Sequence, residues 1–505
     1  MAKIITDYLE ENADKYPQKA AYIDQYESVT YKELQDRTYK IACQLINKGF
    51  AKNPIAIYLE KNIQCISTML GVLCSGNFYT VLDMDMPAER IKKIVSVLSP
   101  AAIITDAGHR KQCGQIPGQN DILIYENLLE DPYDIEQIEE RKKKILSSDL
   151  SQVIFTSGST GTPKGVMLSH GGVISATESR TDHLGYKGSD IFANQFPFHF
   201  VGYLADFFCT LKNGATDYII PKELFFAPKQ LVEFIKDKKI TVLDWIAPAL
   251  CLIAKYGALS DVILPHIKVV AFGGEPMPVK YLRLWKRALP NADFMNAYGS
   301  SELGGGILFY KVNREFEDKD RLPLGFAIEE AEVFLIDENN ESSTEKGELC
   351  VKSSQLAVGY YNNAEETSKK FVLFCDRLGK NITLFKTGDF VKYNEQGELI
   401  FLGRRDFQIK RHGYRIEPGE IECAVGALDG IRDTACIYDR NKEKIVLFYS
   451  GDAADEELKK NMKRIIPHYM IPDIYIELKE IPRTINRKID RVKLNTLYEE
   501  YSEDV

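Results

Sequence analysis

Residues 156–165 read TSGSTGTPKG, five hydroxyl side chains and three glycines around one proline and one lysine. Glycine lets the backbone turn successive N–H groups to one side, and the hydroxyls add donors, so the stretch has the chemistry to wrap a polyanion such as a triphosphate. It follows the apolar run QVIF (152–155) and leads into GVMLSHGGVISATES (165–179), which has the composition of a helix. A loop that hands a strand over to a helix is a frequent place for phosphate, because both ends present free N–H groups. It is not the GxxxxGK[ST] loop: Pro163 precedes Lys164, and Gly165 stands where a hydroxyl residue is required. A plain surface turn is the competing reading of any glycine-rich loop.

A chain of 505 residues exceeds what one core holds, and 45% hydrophobic with 27% charged residues places it among globular proteins of two or more domains. A net charge of −9 gives no general attraction to nucleic acid or anionic membrane. The N-terminal stretch MAKIITDYLEENADKYPQ puts acidic residues where a secretory signal has an apolar core, and no run of about 18 apolar residues follows, so a cytoplasmic protein without a membrane span is expected. The ten cysteines contain no CxxC pair, and the seven histidines lack metal-ligand spacing. Free buried thiols in a reducing compartment are expected.

The runs NPIAIYLE (53–60), AAIITD (101–106) and QVIFTS (152–157) read as short buried strands, and TYKELQDRTYKIACQLINKG (30–49) has helical spacing with a glycine stop. Strands alternating with helices predict an α/β protein. EERKKKILSSDL (139–150) reads as a charged connector. Near residue 403 the composition turns basic: five of the thirteen residues from Gly403 to Arg415 are Lys or Arg, and Pro418-Gly419-Glu420 signals a helix start. A large multi-layer domain over 1–402 and a small α+β domain over 403–505 are expected.

FTSGSTGTPKG resembles the signature loop of the adenylate-forming superfamily, which includes acyl-CoA synthetases, nonribosomal peptide synthetase adenylation domains, D-alanine carrier-protein ligases and luciferase. Further motifs of that family follow in order: VTYKEL (29–34), GNFYTVLDMDMPAERI (76–91), NAYGSSE (296–302), GELCVKSSQLAVGYYN (347–362), KTGD (386–389), GRRDFQIKRHGYRIEPGEIE (403–422) and NRKIDR (486–491). The resemblance covers nearly the whole chain. It implies activation of a carboxylic acid by ATP and Mg²⁺ to an acyl-adenylate with release of pyrophosphate, then transfer to a pantetheine thiol.

The roles the resemblance implies fall on named residues. Thr156, Ser157, Gly158, Ser159, Thr160 and Lys164 hold the ATP phosphates, and Gly274, Glu275, Asn296, Ala297, Tyr298, Gly299 and Ser301 lie about the nucleotide. Asp389 takes the ribose hydroxyls with Arg404 beside it, and Glu302 holds Mg²⁺. Lys488 bridges carboxylate and α-phosphate, although Arg487 stands where the family has glycine, and Asp406 is the hinge. Chemically, a carboxylate attacking a phosphate needs fixed positive charge and oriented donors, which this set provides. Taken singly, Glu302 reads as a solvated cap, Asp389 as a turn residue and Lys488 as a surface lysine.

NQFPFHFVGYLADFF (194–208) is expected to line the acid site through Phe200 and Val201, with Gly273, Trp245, Gly304, Gly305 and Gly306 completing it. Amino-acid-activating relatives carry an aspartate at the position of Val201, and a buried ammonium without a carboxylate costs several kcal/mol. A fatty or aryl acid is therefore expected, with Asp206 or Asp244 as the substitute anchor if the acid bears an amine. The three glycines leave an open floor, and Trp245 is either an apolar wall or a core residue. The expected acceptor is a carrier protein, which would act in trans because no carrier domain is expected after Val505, with free CoA as the alternative. A nucleotide-binding NTPase module, a luciferase-like oxygenase and a non-catalytic relative are the rival classes.

Overall fold

In the computed structural model the described residues are 4–116, 121–158, 161–337, 341–375, 381–404, 408–452, 455–483 and 489–503. The chain divides into two compact units: 1–84, 97–155 and 165–405 in the first, and 85–96, 156–164 and 406–505 in the second.

The first unit is built on three sheets. A nine-stranded sheet has a parallel centre, in which Thr216–Ile219, Ile191–Asn194, Val242–Ile246, Val269–Gly273 and Asp293–Ser300 lie side by side, with antiparallel strands added at both edges. A seven-stranded sheet contains the expected runs as Pro54–Tyr58, Ala102–Thr105 and Leu150–Thr156. A largely antiparallel third sheet carries Asn381–Tyr393 paired with Leu399–Arg404. One core packs residues of the first two sheets together, Tyr22 and Ile219 with Ile57 and Ile104, around the helices Ile63–Cys74 and Tyr203–Asn213. Continuous apolar runs make such strands, because parallel sheets covered on both faces have no solvent side to alternate with.

Local signals explain the helix ends. Helix Tyr31–Asn47 begins with Thr30 accepting from the Glu33 N–H while the Glu33 carboxylate accepts from the Thr30 N–H, a reciprocal cap written in the TYKEL motif. Gly49, at φ 81°, follows its end. The expected connector at 139–150 is in part helical: Ile135–Lys142 is a helix capped by Asp134, and Lys142 pairs with Glu10 and Glu139.

One expectation about the opening stretch is corrected. After Leu150–Thr156 the chain enters a second strand, Lys164–Ser169, and the helix His170–Leu184 starts only beyond it, with Ser169 as its cap. The stretch KGVMLS buries Val166 and Leu168 in the sheet, so the glycine-rich segment joins strand to strand.

The second unit contains the strands Ile431–Asp439, Lys444–Gly451 and Ile474–Glu477, the hairpin Ile409–Arg411 with Tyr414–Ile416, and a helix Pro418–Gly426 that starts where the Pro-Gly-Glu signal puts it. Among the described residues nine cysteines are free, all but Cys251 and Cys423 of them buried, and no helix is long and apolar enough to cross a membrane.

Candidate active site

In the first unit the strand Asp293–Ser300 ends at the carboxyl edge of the parallel sheet, where α/β proteins place ligands. Two close approaches shape that edge. A Cβ on Gly273 would lie 2.3 Å from the Ala297 carbonyl oxygen, and one on Gly299 would lie 1.7 Å from that of Gly305, so both positions require glycine. Gly274 adopts φ 82°. Asn296 is anchored by its Nδ2 donating to the Pro323 carbonyl at 2.7 Å, which fixes the backbone at Ala297.

Tyr298, on this strand, donates its hydroxyl to Asp389 on Asn381–Tyr393. The second Asp389 oxygen accepts from the Arg404 guanidinium, which also donates to the Thr387 carbonyl at 3.1 Å, and Asp389 and Arg404 are direct cross-strand partners. The Asp389 N–H donates to Thr387 Oγ1 at 3.0 Å. All three side chains are buried. Burial and the neighbouring Asp389 carboxylate push the Tyr298 phenol well above its ordinary value, so it stays a donor. Three residues from distant motifs thus form one connected group with a carboxylate at its centre.

Glu302 is fully buried, 0% exposed, which removes the solvated-cap reading. Its Oε1 accepts from the Tyr360 hydroxyl at 2.8 Å, and its carbonyl accepts from the Ala357 N–H. Among the described residues no group of three or more His, Cys, Asp or Glu converges on a metal position.

The expected acid-site residues separate. Phe200 stacks on Phe196 at 5.9 Å between ring centroids, and Val201 is buried in the first core. Trp245 is a core residue: its ring packs edge-on against Phe225, its Nε1 donates to the Ala193 carbonyl at 2.7 Å, and its neighbours are those of the second core. Asp244, the next residue back, points to the opposite face, as strand alternation requires.

Sequence reasoning missed what Asp244 does there. Arg180, from helix His170–Leu184, holds it with Nε and Nη2 at 2.7 and 2.6 Å, and Tyr186 donates to it at 2.9 Å. A Cβ on Gly306 would come within 2.8 Å of Arg180 Nη1, and the guanidinium lies 5.3 Å from the Phe309 ring centroid. The space beside Gly306 is taken by Arg180, whereas Gly305 faces open space and Gly304 closes on the Gln355 carbonyl.

In the second unit the opening segment is described except for Ser159 and Thr160. The Gly158 N–H donates to Glu420 Oε2 at 3.3 Å, Ser157 Oγ donates to the Arg415 carbonyl at 2.7 Å, and Glu420 forms a buried ion pair with Arg90. Gly158 sits so close to the Thr162 carbonyl, 2.0 Å from an added Cβ, that no side chain fits. A loop N–H of this segment therefore already holds a carboxylate oxygen. From sequence Glu420 entered only as part of a helix-start signal and Arg90 was not singled out; the acid of the PGEIE motif was the available signal. The expected residues Asp406 and Lys488 lie outside the described residues.

The chain is similar to known proteins over nearly its whole length. The chain is 30% identical over 507 residues to tyrocidine synthase 3 of Brevibacillus parabrevis, covering 97% of this chain and 8% of that protein. It is 28% identical over 516 residues to the D-alanine–D-alanyl carrier protein ligase of Bacillus licheniformis, covering 97% of this chain and 98% of the relative. In fold it matches the Vibrio cholerae adenylation domain AlmE, solved with glycyl-adenosine-5'-phosphate, with a TM-score of 0.84 at 20% identity over 99% of this chain and 98% of that one. The chain spans only a small part, 8 to 14%, of the synthases among these relatives. With residues 9–361 matching the model described as AMP-binding enzyme, the chain belongs to that family.

Proposed function

We propose that this protein activates a carboxylic acid with ATP, forming an acyl-adenylate and pyrophosphate, and passes the acyl group to the phosphopantetheine thiol of a carrier protein. The observation that carries this reading is the buried group of Tyr298, Asp389 and Arg404, with Glu302 four residues beyond Tyr298, in a chain of the AMP-binding family. Asp389 has the acceptor chemistry for two ribose hydroxyls, which on binding take over from the Tyr298 hydroxyl. Asn296, Ala297, Gly299, Ser301, Gly274 and Glu275 form the strand ends about the nucleotide. The loop residues Thr156, Ser157, Gly158, Ser159, Thr160 and Lys164 supply N–H, hydroxyl and ammonium donors to its phosphates, and Asp406 is the hinge for moving the second unit.

Glu302 fits a magnesium ion. A buried carboxylate gains from a cation beside it, and a hard divalent ion would take such a carboxylate together with phosphate oxygens and water. Magnesium bound there supplies charge neutralisation of the phosphates. Lys488, from the second unit, bridges the attacking carboxylate and the α-phosphate. The attack forms a carboxyl O–P bond as the bond from the α-phosphorus to the leaving pyrophosphate breaks.

The acid we assign is a fatty or aryl acid. Val201 offers a buried methyl surface where an ammonium needs a carboxylate, and the Asp244 charge is already matched by Arg180. Phe200, with Gly273, Gly305 and Val201, lines this acid site. A second reading, an amino acid held through Asp206, is favoured by the D-alanine named for one full-length relative. Acid-dependent ATP–pyrophosphate exchange over fatty, aryl, β-amino and α-amino acids tests both readings: exchange with an α-amino acid alone overturns the first. Acid-independent phosphate release would indicate an NTPase instead. Transfer is tested with a pantetheinylated carrier against free CoA.

A further inference from the structure

Beneath the segment that carries Phe200 and Val201 lies a cluster of charge that the reaction does not use. Asp206, in the first turn of helix Tyr203–Asn213, is 0% exposed, and Asp217, on Thr216–Ile219, is 1% exposed. Asn194 ends the strand Ile191–Asn194 and donates its Nδ2 to Asp206 Oδ2 at 3.2 Å. Among the described residues the Oδ1 atoms of Asn194, Asp206 and Asp217 are buried with no hydrogen-bond partner. Lys61, partly buried ahead of helix Ile63–Cys74, donates Nζ to the Asn194 carbonyl at 3.0 Å and to the Gln195 carbonyl at 3.2 Å, and lies 5.9 Å from the Phe198 ring centroid.

The charges do not close. Facing the two aspartates are Lys61, the Arg180–Asp244 pair, and Tyr22, Tyr31 and Cys209. Arg180 and Asp244 neutralise one another. Burial raises Tyr22 and Tyr31 well above their ordinary value and Cys209 to about 12, so none is charged at neutral pH. Two carboxylates against one ammonium leave one uncompensated negative charge in the core, which costs more than keeping a proton there.

We infer that Lys61 is a positioning residue for the acid-binding segment: it holds the Asn194 and Gln195 carbonyls, where that segment leaves the sheet, within a buried cluster that stays neutral because Asp206 keeps its proton. Burial and then the Asp217 charge push Asp206 well above the carboxylate range, whereas at Asp217 the rise caused by burial is opposed by the Lys61 charge. Burial lowers Lys61 to about 8. The part of this inference that concerns the acid rests on the proposed function, and the protonation state does not.

Two experiments test it. Asp206→Asn has the shape of the protonated acid. A carboxyl raised in the folded state keeps a proton that the unfolded chain has released, so its favourable contribution fades as pH rises from the unfolded value toward the folded one. The melting temperature of D206N therefore gains on the wild type by about 2 °C or more between about pH 5 and about pH 9. Parallel melting curves overturn the retained proton, and so does selective loss of amine-bearing acids in D206N, which would make Asp206 a charged substrate anchor. Lys61→Met raises KM for the best acid of the exchange screen by about tenfold while KM for MgATP moves less than about twofold, and Lys61→Arg recovers part of the difference. Equal effects on both substrates, or none, overturn the positioning role, and if K61M does not fold then K61R alone must show the same KM split. Should no acid support exchange, the functional reading falls, and the melting comparison still judges the cluster.

Discussion

The Tyr298 hydroxyl donates to the Asp389 carboxylate across two sheets of the first unit, and Arg404 closes the other side of the same carboxylate. On the proposed reading these two donors hold the acceptor that a ribose would take over. Asp389→Ala removes the acceptor and leaves Arg404 and Tyr298 buried without it, so a stability loss of about 3–5 kcal/mol is expected. KM for ATP rises further than KM for the acid. Thermal melting and the two KM values from exchange check this, and equal changes in both KM values would count against a ribose role.

Glu302→Gln keeps an acceptor for the Tyr360 hydroxyl and removes only the charge. Folding is retained, while exchange falls by about 10²–10³-fold through lost magnesium and phosphate stabilisation. A magnesium titration separates this from a structural effect: the variant requires more metal for half-maximal rate, whereas a packing defect leaves that midpoint unchanged.

These two positions were singled out in the sequence for the same reason. Asp389 and Glu302 sit in short contiguous motifs, KTGD and NAYGSSE, whose order along the chain carries the resemblance. Strands such as Ala102–Thr105 and the helix Tyr31–Asn47 were also readable, because hydrophobic periodicity acts within a few residues. Arg180 and Asp244 are 64 residues apart and meet only through tertiary packing, so no local pattern announced them. The helix expected directly after the glycine-rich loop failed on length: GVML is a four-residue apolar run, and such short runs do not distinguish strand from buried helix. Trp245 left both readings open because a strand residue's face is set by register, which its neighbours in sequence do not reveal.

Arg180→Met is expected to leave the Asp244 charge buried with only the Tyr186 hydroxyl beside it, a loss of about 3–5 kcal/mol. The double variant Arg180→Met with Asp244→Leu recovers most of that loss, since an apolar pair of similar volume is often as stable as the ion pair. A double-mutant cycle read by denaturant unfolding tests this, and additive losses would show that the two charges do not depend on each other.

Lys488→Ala separates the two half-reactions. If this lysine bridges carboxylate and α-phosphate, adenylate formation falls by about a hundredfold or more, while a pre-formed acyl-adenylate still transfers its acyl group to the thiol. Full adenylate formation by the variant removes the assignment.

Acid sensitivity has a specific contributor in His170. Its ring is buried and accepts the Ile5 N–H at Nδ1, 3.3 Å away, so the folded state holds it neutral. Burial lowers its pKa to about 4, against the smaller pull of Asp149 and Asp7 in the other direction. A base depressed in the folded state binds fewer protons than in the unfolded chain, so stability falls as pH drops from the unfolded value near 6.5 toward about 4. His170→Gln retains an acceptor for Ile5 and cannot titrate. Its melting temperature therefore declines less steeply than the wild type's across that window and parallels it above about pH 7. Identical slopes in the two proteins below pH 6.5 would place the acid sensitivity elsewhere in the chain.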